Sequence, residues 1–324
     1  MSTTSASAPS PPERVAYRVV HATAYRYAQP VSLSQQLLHL APREVPRQRC
    51  GVQTLHIEPA PSRRLDGTDA FGNPLTRLEF DRPHELLRIV SELGIERVQR
   101  DAALDPSASP AWEDVVAALA YRAGNRPDAT TLDAVRYRFQ SPYVRIKRVF
   151  ADYAADCFTA RRPLLEAGTA LMHKLHRDFT YDPKATEIET PLPDVFAAKR
   201  GVCQDYAHVM LACLRSLGLA ARYVSGYLRT TPRPGRARLV GADASHAWIA
   251  LYCPGEGWVD FDPTNDLLPE LAHVTIAWGR DFGDVSPLRG VILGGGAHEL
   301  EVGVAVTPLA EDGPRPAIPP RRMA

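Results

Sequence analysis

The chain has 324 residues, 45% hydrophobic and 23% charged, with a formal net charge of +1. This is enough apolar material for a sizeable core and about two domains. The near-neutral charge argues against a nucleic-acid binder driven by phosphate attraction. No run of about 18 apolar residues occurs, so no membrane partner is expected either.

Residues Met1 to Val15 (MSTTSASAPSPPERV) are small, polar and Pro-rich. They lack the basic start and apolar centre of a signal peptide and read as a disordered tail, 1–15. Residues 16–100 alternate strongly, as in AYRVVHATAYRYAQPV, GVQTLHIEPAP and LLRIVSELGIERV. Short strands with Pro and Gly punctuation predict a small β-sandwich or barrel. DAFGNPL, Asp69 to Leu75, carries a Gly-Asn turn signal. His21 and His39 lie in strand patterns and read as hydrogen-bonded structural residues.

Residues 101–160 read as a linker with connecting helices: a Pro/Ser stretch, a short helix over Trp112 to Ala123, and a helical pattern in RIKRVFADYAADCF. A second domain is expected over 161–309. It starts with an amphipathic helix carrying Leu164, Leu165, Leu171, Leu175 and Phe179. Thr186 and Thr190 to Pro193 read as a loop in front of the next element, with a short helix over Val195 to Lys199. Then comes GVCQDYAHVMLACLRSLGLAARYVSGYL, Gly201 to Leu228. Tyr206, Val209, Met210, Cys213, Leu214 and Leu217 recur at i, i+3, i+4 spacing, which predicts one buried helical stripe. Gly218 suits the left-handed residue after the helix, and a strand follows.

Cys203 sits at the start of that helix. Unpaired N–H groups and the positive end of the helix dipole favour a thiolate there. The same N–H groups can hold an oxyanion formed when the thiolate attacks a carbonyl. A base is expected downstream. In SHAWIALYC, His246 and Trp248 share one strand face, with Ala247, Ile249 and Leu251 on the other. After the turn CPGEG, GWVDFDPTN places Trp258, Asp260 and Asp262 on one face. Such a hairpin brings an Asp beside His246, in a Cys–His–Asp order; periodicity does not choose between Asp260 and Asp262. His208 lies about 140° round the helix from Cys203 and reads as structural, and Asp205 as a first-turn cap.

Between the two strands, Arg229 to Asp243 is rich in Pro, Gly and Arg and reads as a loop. HVTIAWG reads as a strand, GRDFGDVSP with Asp281 as a polar loop, and HELEVGVAVTPL as a final strand. GVILGGG lacks G-K-[S/T] and is no phosphate loop. A disordered tail is expected over 310–324. The five cysteines, Cys50, Cys157, Cys203, Cys213 and Cys253, are odd in number and scattered. They suit a reducing compartment, so a cytoplasmic location is expected. No C-x-x-C pair occurs, and neither a metal nor a cofactor is expected.

G-V-C-Q-D-Y-A-H, S-H-A-W and G-W-V-D-F-D-P-T-N together resemble the transglutaminase-like superfamily, the papain-related thiol enzymes. H-A-T-A-Y-R-Y, L-H-L-A-P-R and D-A-F-G-N resemble the N-terminal domain of its bacterial branch. The resemblance implies an α+β catalytic domain, with the nucleophile helix on an antiparallel sheet. It also implies Cys203 as nucleophile, His246 as base and Asp262, the Asp of D-P-T, as orienter. The expected substrate is a peptide or protein, with Gln204, Trp248, Thr190 and Asp281 as substrate-binding candidates. In the animal cross-linking enzymes a Trp follows the nucleophile; here Gln204 does, and no D-x-[DN]-x-[DN]-G calcium loop is present. The expected reaction is therefore amide hydrolysis, with transamidation as one alternative and a non-catalytic peptide-binding module as another.

Overall fold

The computed structural model describes residues 13–100, 103–121, 123–124, 127–229 and 245–309. Residues 1–12 and 310–324 of the two expected tails, and 230–243 of the arginine-rich loop, lie outside the described residues. Arg14 and Val15, expected in the tail, already belong to the first strand.

Five strands open the chain: β1 (Arg14–Leu38), β2 (Gln48–Glu58), β3 (Arg63–Thr68), β4 (Pro74–Phe80) and β5 (His84–Val98). They form an antiparallel sheet in the order β2-β5-β1-β4-β3. Strand β1 is long enough to serve two regions. Its first half pairs with β5 and its second half with β4, and the register breaks between Arg26 and Val31. Alternation along β5 buries Leu87, Ile89, Leu93 and Ile95, as period-two patterning requires of a half-buried strand.

Helices follow: α1 (Trp112–Leu119), α2 (Ala129–Val135), α3 (Arg148–Ala154) and α4 (Leu164–Asp178). The helix expected to reach Ala123 ends earlier, because Ala120 turns extended. Helix α2 is an element the patterning missed; its signal was Asp128, whose side chain accepts from Thr131 N at its start. Short strands β6 (Thr180–Tyr181) and β7 (Arg200–Gly201) flank α5 (Leu192–Ala198). Helix α5 begins three residues before the expected Val195, with Pro193 in its first turn, where the missing N–H costs nothing.

The centre of the second region is α6 (Cys203–Ser216), packed on β8 (Ala221–Leu228) and β9 (Ser245–Cys253). With β10 (Gly257–Phe261) and β11 (His273–Gly279) these make an antiparallel sheet in the order β10-β9-β8-β11. Ala247, Ile249, Leu251, Val259 and Phe261 join the α6 stripe in one core. That is the face assignment the alternation predicts.

After α7 (Phe282–Val285), the chain leaves this region. Strands β12 (Leu288–Gly294) and β13 (His298–Pro308) both pair with β1. The expected boundary of 161–309 is therefore corrected: residues from Leu288 onward complete the first sheet. The reason is that β1 has two free edges once β4 and β5 are placed, and Val304 and Val306 are buried there.

The two regions are docked by residues of the N-terminal motifs together with Gln48. His21 Nδ1 lies 2.7 Å from the Tyr227 hydroxyl. Burial pushes this imidazole down to about 4, so it is neutral. Gln48 donates to Thr275 O (2.7 Å) and accepts from Thr275 N (2.9 Å). Asn73 repeats the pattern on Trp278, at 2.8 and 3.0 Å. Two side-chain amides thus complete the open edge of β11 in place of another strand. Asp69 holds Asn73 through its amide and backbone N–H, and His39 lies 3.2 Å from Asp69. Among the described residues, no helix is long and apolar enough to cross a membrane.

Candidate active site

Helix α6 begins at Cys203, which is half-buried. Asp205 anchors this start. Its carboxylate accepts from Val202 N at 2.8 Å and from the Thr186 hydroxyl at 2.7 Å. A first-turn carboxylate also complements the helix dipole. Burial raises its proton affinity, and the two hydrogen bonds oppose that. A Cβ on Gly201 would collide with the Asp205 carboxylate, so glycine is required before the nucleophile position.

His246 stands on β9 opposite Gly226 of β8 and is 1% exposed. Its Nε2 lies 2.8 Å from Asp262 Oδ2. A carboxylate accepts, so Nε2 carries the proton and Nδ1 is the basic nitrogen. Nδ1 is buried and has no hydrogen-bond partner among the described residues. Cys203 is nonetheless close enough to raise the proton affinity of the ring. With Nε2 engaged by Asp262, Nδ1 is the nitrogen left for the thiol. Burial would push His246 down, but the Asp262 carboxylate overrides it and, with Cys203, holds the ring well above its ordinary value.

Asp262 is fully buried, and its two oxygens accept five hydrogen bonds. Oδ1 takes Thr264 N (3.0 Å) and Asn265 N (3.2 Å). Oδ2 takes His246 Nε2, the Asn265 amide (2.8 Å) and His273 Nε2 (2.9 Å). Burial would raise this carboxyl; the two imidazoles hold it far below the carboxylate range. His246, Asp262 and His273 offer ligand atoms within 4.8 Å of one another. Hydrogen bonds of 2.8 and 2.9 Å to one oxygen leave no space for a zinc ion about 2.0–2.2 Å from each ligand. The cluster is a hydrogen-bonded one.

His273, Asn265 and Thr264 are site residues that sequence reasoning missed. The signal for Asn265 and Thr264 was local, since D-P-T-N folds back on its own aspartate. His273 gave no signal, because only the β8–β11 pairing brings it to Asp262. Asp260 lies among Arg222, Arg97, His273 and Arg47, and makes no hydrogen bond to His246 among the described residues. The structure therefore places Asp262, not Asp260, against His246.

Two substrate-binding candidates are corrected. Trp248 is fully buried, stacks near His246 (6.0 Å, 29°) and meets His273 edge-on (5.2 Å). It is a wall behind the imidazoles, admitted because Gly226 has no side chain to meet its ring. Asp281 is fully buried too, and accepts from Tyr143 N (3.0 Å) and Gly283 N (2.9 Å). Gln204 is half-buried beside Cys203. The Thr190 hydroxyl accepts from Glu187 N at 2.9 Å, shaping the loop that Thr186 ties to α6. His208 is structural, as expected: buried, accepting from Phe282 N (3.2 Å), and pushed down to about 3 by burial and then Arg215. Tyr181 and Tyr223 flank Cys203, each raised first by burial and then by the neighbouring thiol.

Comparison with known proteins bears on the family and the fold. Residues 17–96 match the bacterial transglutaminase-like N-terminal region, and residues 151–263 match the transglutaminase-like superfamily. An uncharacterised protein of Mycobacterium tuberculosis is 38% identical over 304 residues, covering 91% of this chain and 94% of its own. A protein-glutamine gamma-glutamyltransferase of Pseudomonas aeruginosa is 33% identical over 109 residues, 31% of this chain and 16% of its own. Among solved structures, a candidate cysteine protease from Cytophaga hutchinsonii superposes with a TM-score of 0.70. The match covers 94% of this chain and 93% of the other at 19% identity, a likeness of fold.

Proposed function

From the premise that this chain belongs to the transglutaminase-like superfamily, we propose that it is a thiol enzyme cleaving amide bonds through an acyl group on Cys203. The observation that carries this reading is the line of three side chains: Cys203 at a helix start, His246 with Nδ1 open, and Asp262 on Nε2 at 2.8 Å. His246 Nδ1 takes the Cys203 proton, and the thiolate attacks the substrate carbonyl. The backbone N–H of Cys203 helps hold the oxyanion. The C–N bond breaks, and the proton on Nδ1 goes to the departing amine. Water, deprotonated by the same nitrogen, then releases the acyl group as a carboxylic acid and restores the thiol. Asp262 keeps Nε2–H in place and stabilises the imidazolium. Asn265 and His273 act as positioning residues by fixing the Asp262 carboxylate.

Transamidation is the second reading, favoured by the similarity to the glutamyltransferase over 109 residues. It differs only in the acceptor, a primary amine instead of water. One experiment separates the readings: peptide and glutamine-amide substrates are offered with and without a primary amine, and the acyl-enzyme and products are weighed by mass spectrometry. Hydrolysis predicts a Cys203 adduct and free acid whether or not amine is present; transamidation predicts an amine-linked product. No adduct on Cys203 with any substrate, with thiol labelling unaffected by His246→Ala, supports the binding-module alternative and overturns both.

A further inference from the structure

On the sheet face turned away from α6 lies a cavity of about 790 Å³, with Arg47, Arg97, Arg222, Asp260, Trp258 and Trp278 on its wall. Cys203 is not part of it. Trp248 packs with Val224, Trp258 and Trp278 as well as with His246, and so backs both places.

Two buried arginines of this cavity, Arg97 and Arg222, have no ion-pair partner among the described residues. Arg100 and Glu256 pair at its rim (2.9 Å), and both are partly exposed. Deeper, the guanidinium of Arg222 stacks over Trp258 (4.2 Å) and Trp278 (3.6 Å), with only 7% of the residue exposed. Among the described residues it makes no hydrogen bond or ion pair, and its Nε is buried without a partner. Arg97, 4% exposed, donates to Glu270 O at 2.9 Å, and its Nε is likewise unpartnered. Arg47 makes no ion pair among the described residues. Asp260 is felt by all three arginines, Asp133 also acts on Arg222 and Glu270 on Arg47, and none of these carboxylates forms an ion pair with them among the described residues. Arg97 and Arg222 thus keep buried guanidinium nitrogens without an acceptor, although Asp105, Asp133, Glu256 and Asp260 also lie along the wall. Burial pushes Arg97 and Arg222 down to about 10, which leaves both charged at neutral pH.

A buried guanidinium without an acceptor is costly, because its desolvation is uncompensated. Stacked rings fix the plane of Arg222 and leave its edge to bind, the geometry that suits a carboxylate. The tryptophans and Val224 supply an apolar wall, and the volume suits a small molecule. We propose that this cavity is a binding site for a small organic carboxylate, held by Arg222 and Arg97 with its apolar or aromatic body against Trp258 and Trp278. The site is separate from the thiol chemistry and does not depend on it.

The test is a titration of the full chain with benzoate, phenylacetate and succinate at constant ionic strength, with benzyl alcohol as the neutral counterpart. Tryptophan fluorescence and the melting temperature are read. The expected result is saturable binding of at least one carboxylate below about 10 mM and none of the alcohol. Arg222→Gln and Arg97→Gln should each weaken it about tenfold or more, the scale of a lost charge-assisted pair, while Arg63→Gln, on the outer surface, should not. If Arg222→Gln fails to fold, Arg97→Gln and Arg47→Gln carry the comparison. No saturable binding of any carboxylate, equal binding of benzyl alcohol, or unchanged binding in the folded arginine variants would overturn the proposal.

Discussion

Reactivity at single residues is where the site can first be tested. Burial pushes the Cys50 thiol up to about 12 and those of Cys157 and Cys253 up to about 11, and Cys213 is raised further still. Cys203, at the helix start with an imidazole beside it, is expected to be the one cysteine that iodoacetamide labels quickly near neutral pH. Peptide mass mapping checks this, and His246→Ala should slow the reaction at Cys203 alone. The second prediction concerns pH. His246 is held up at about 10, so its imidazolium persists through neutral pH and the alkaline limb should lie near that value. Asp262→Asn removes the attraction and leaves burial, so the limb should move to lower pH. His273→Gln removes a competing donor from Asp262 Oδ2 and a like-charged neighbour of His246, so it should not lower the limb. Stability follows the same sign. A histidine raised on folding contributes fully below its ordinary value of about 6.5 and loses that contribution as pH rises through the folded value. Melting temperature against pH should therefore fall more steeply between those limits in the native protein than in Asp262→Asn.

Elements show why some of this was legible beforehand. The stripe of α6 and the alternation of β9 and β10 announce themselves, because one face of each must be buried. Those two periodicities put Cys203 at a helix start and His246 on a strand face, whereas their pairing with Asp262 came from the family resemblance, the D-P-T motif included. The roles of His273 and Trp248 were hidden, since they depend on the β8–β11 register and on Gly226, which periodicity does not encode. Sheet membership of β12 and β13 was hidden for the same reason: a strand pattern does not name its partner. One element-level prediction concerns the start of α6. Asp205→Ala removes the acceptor for Val202 N and Thr186, which typically costs about 0.5–2 kcal/mol for a lost cap. Thermal melts should show that loss, and Thr186→Val a smaller one. Iodoacetamide labelling of Cys203 should also change in rate, because the same carboxylate sets the helix start. A variant that melts like the native protein would mean that Asp205 does not hold the helix start.

For the whole molecule, the N-terminal sheet serves as the missing neighbour of β11. Gln48→Ala and Asn73→Ala each leave one N–H and one C=O of β11 without a partner, a loss of roughly 1–3 kcal/mol per unsatisfied group. Each should lower the melting temperature. Asn73→Ala and Gln48→Ala should also slow acyl transfer, because His273 opens the same strand. Kinetics with a fixed substrate, beside a melt, would show whether stability and rate fall together. The pairing of β1 with β13 has a consequence in time. Tyr17 lies opposite Pro308, so β1 must wait for a strand made much later in synthesis. While the protein is being synthesised, the β13 edge of β1 stays open, and an unpaired strand edge invites pairing with other chains. The helix-and-sheet region around α6 can collapse earlier, from contacts closer in sequence. Completion of the first sheet is thus the step at which crowding, slow release from the ribosome or a missing C-terminal strand would divert the chain into aggregates.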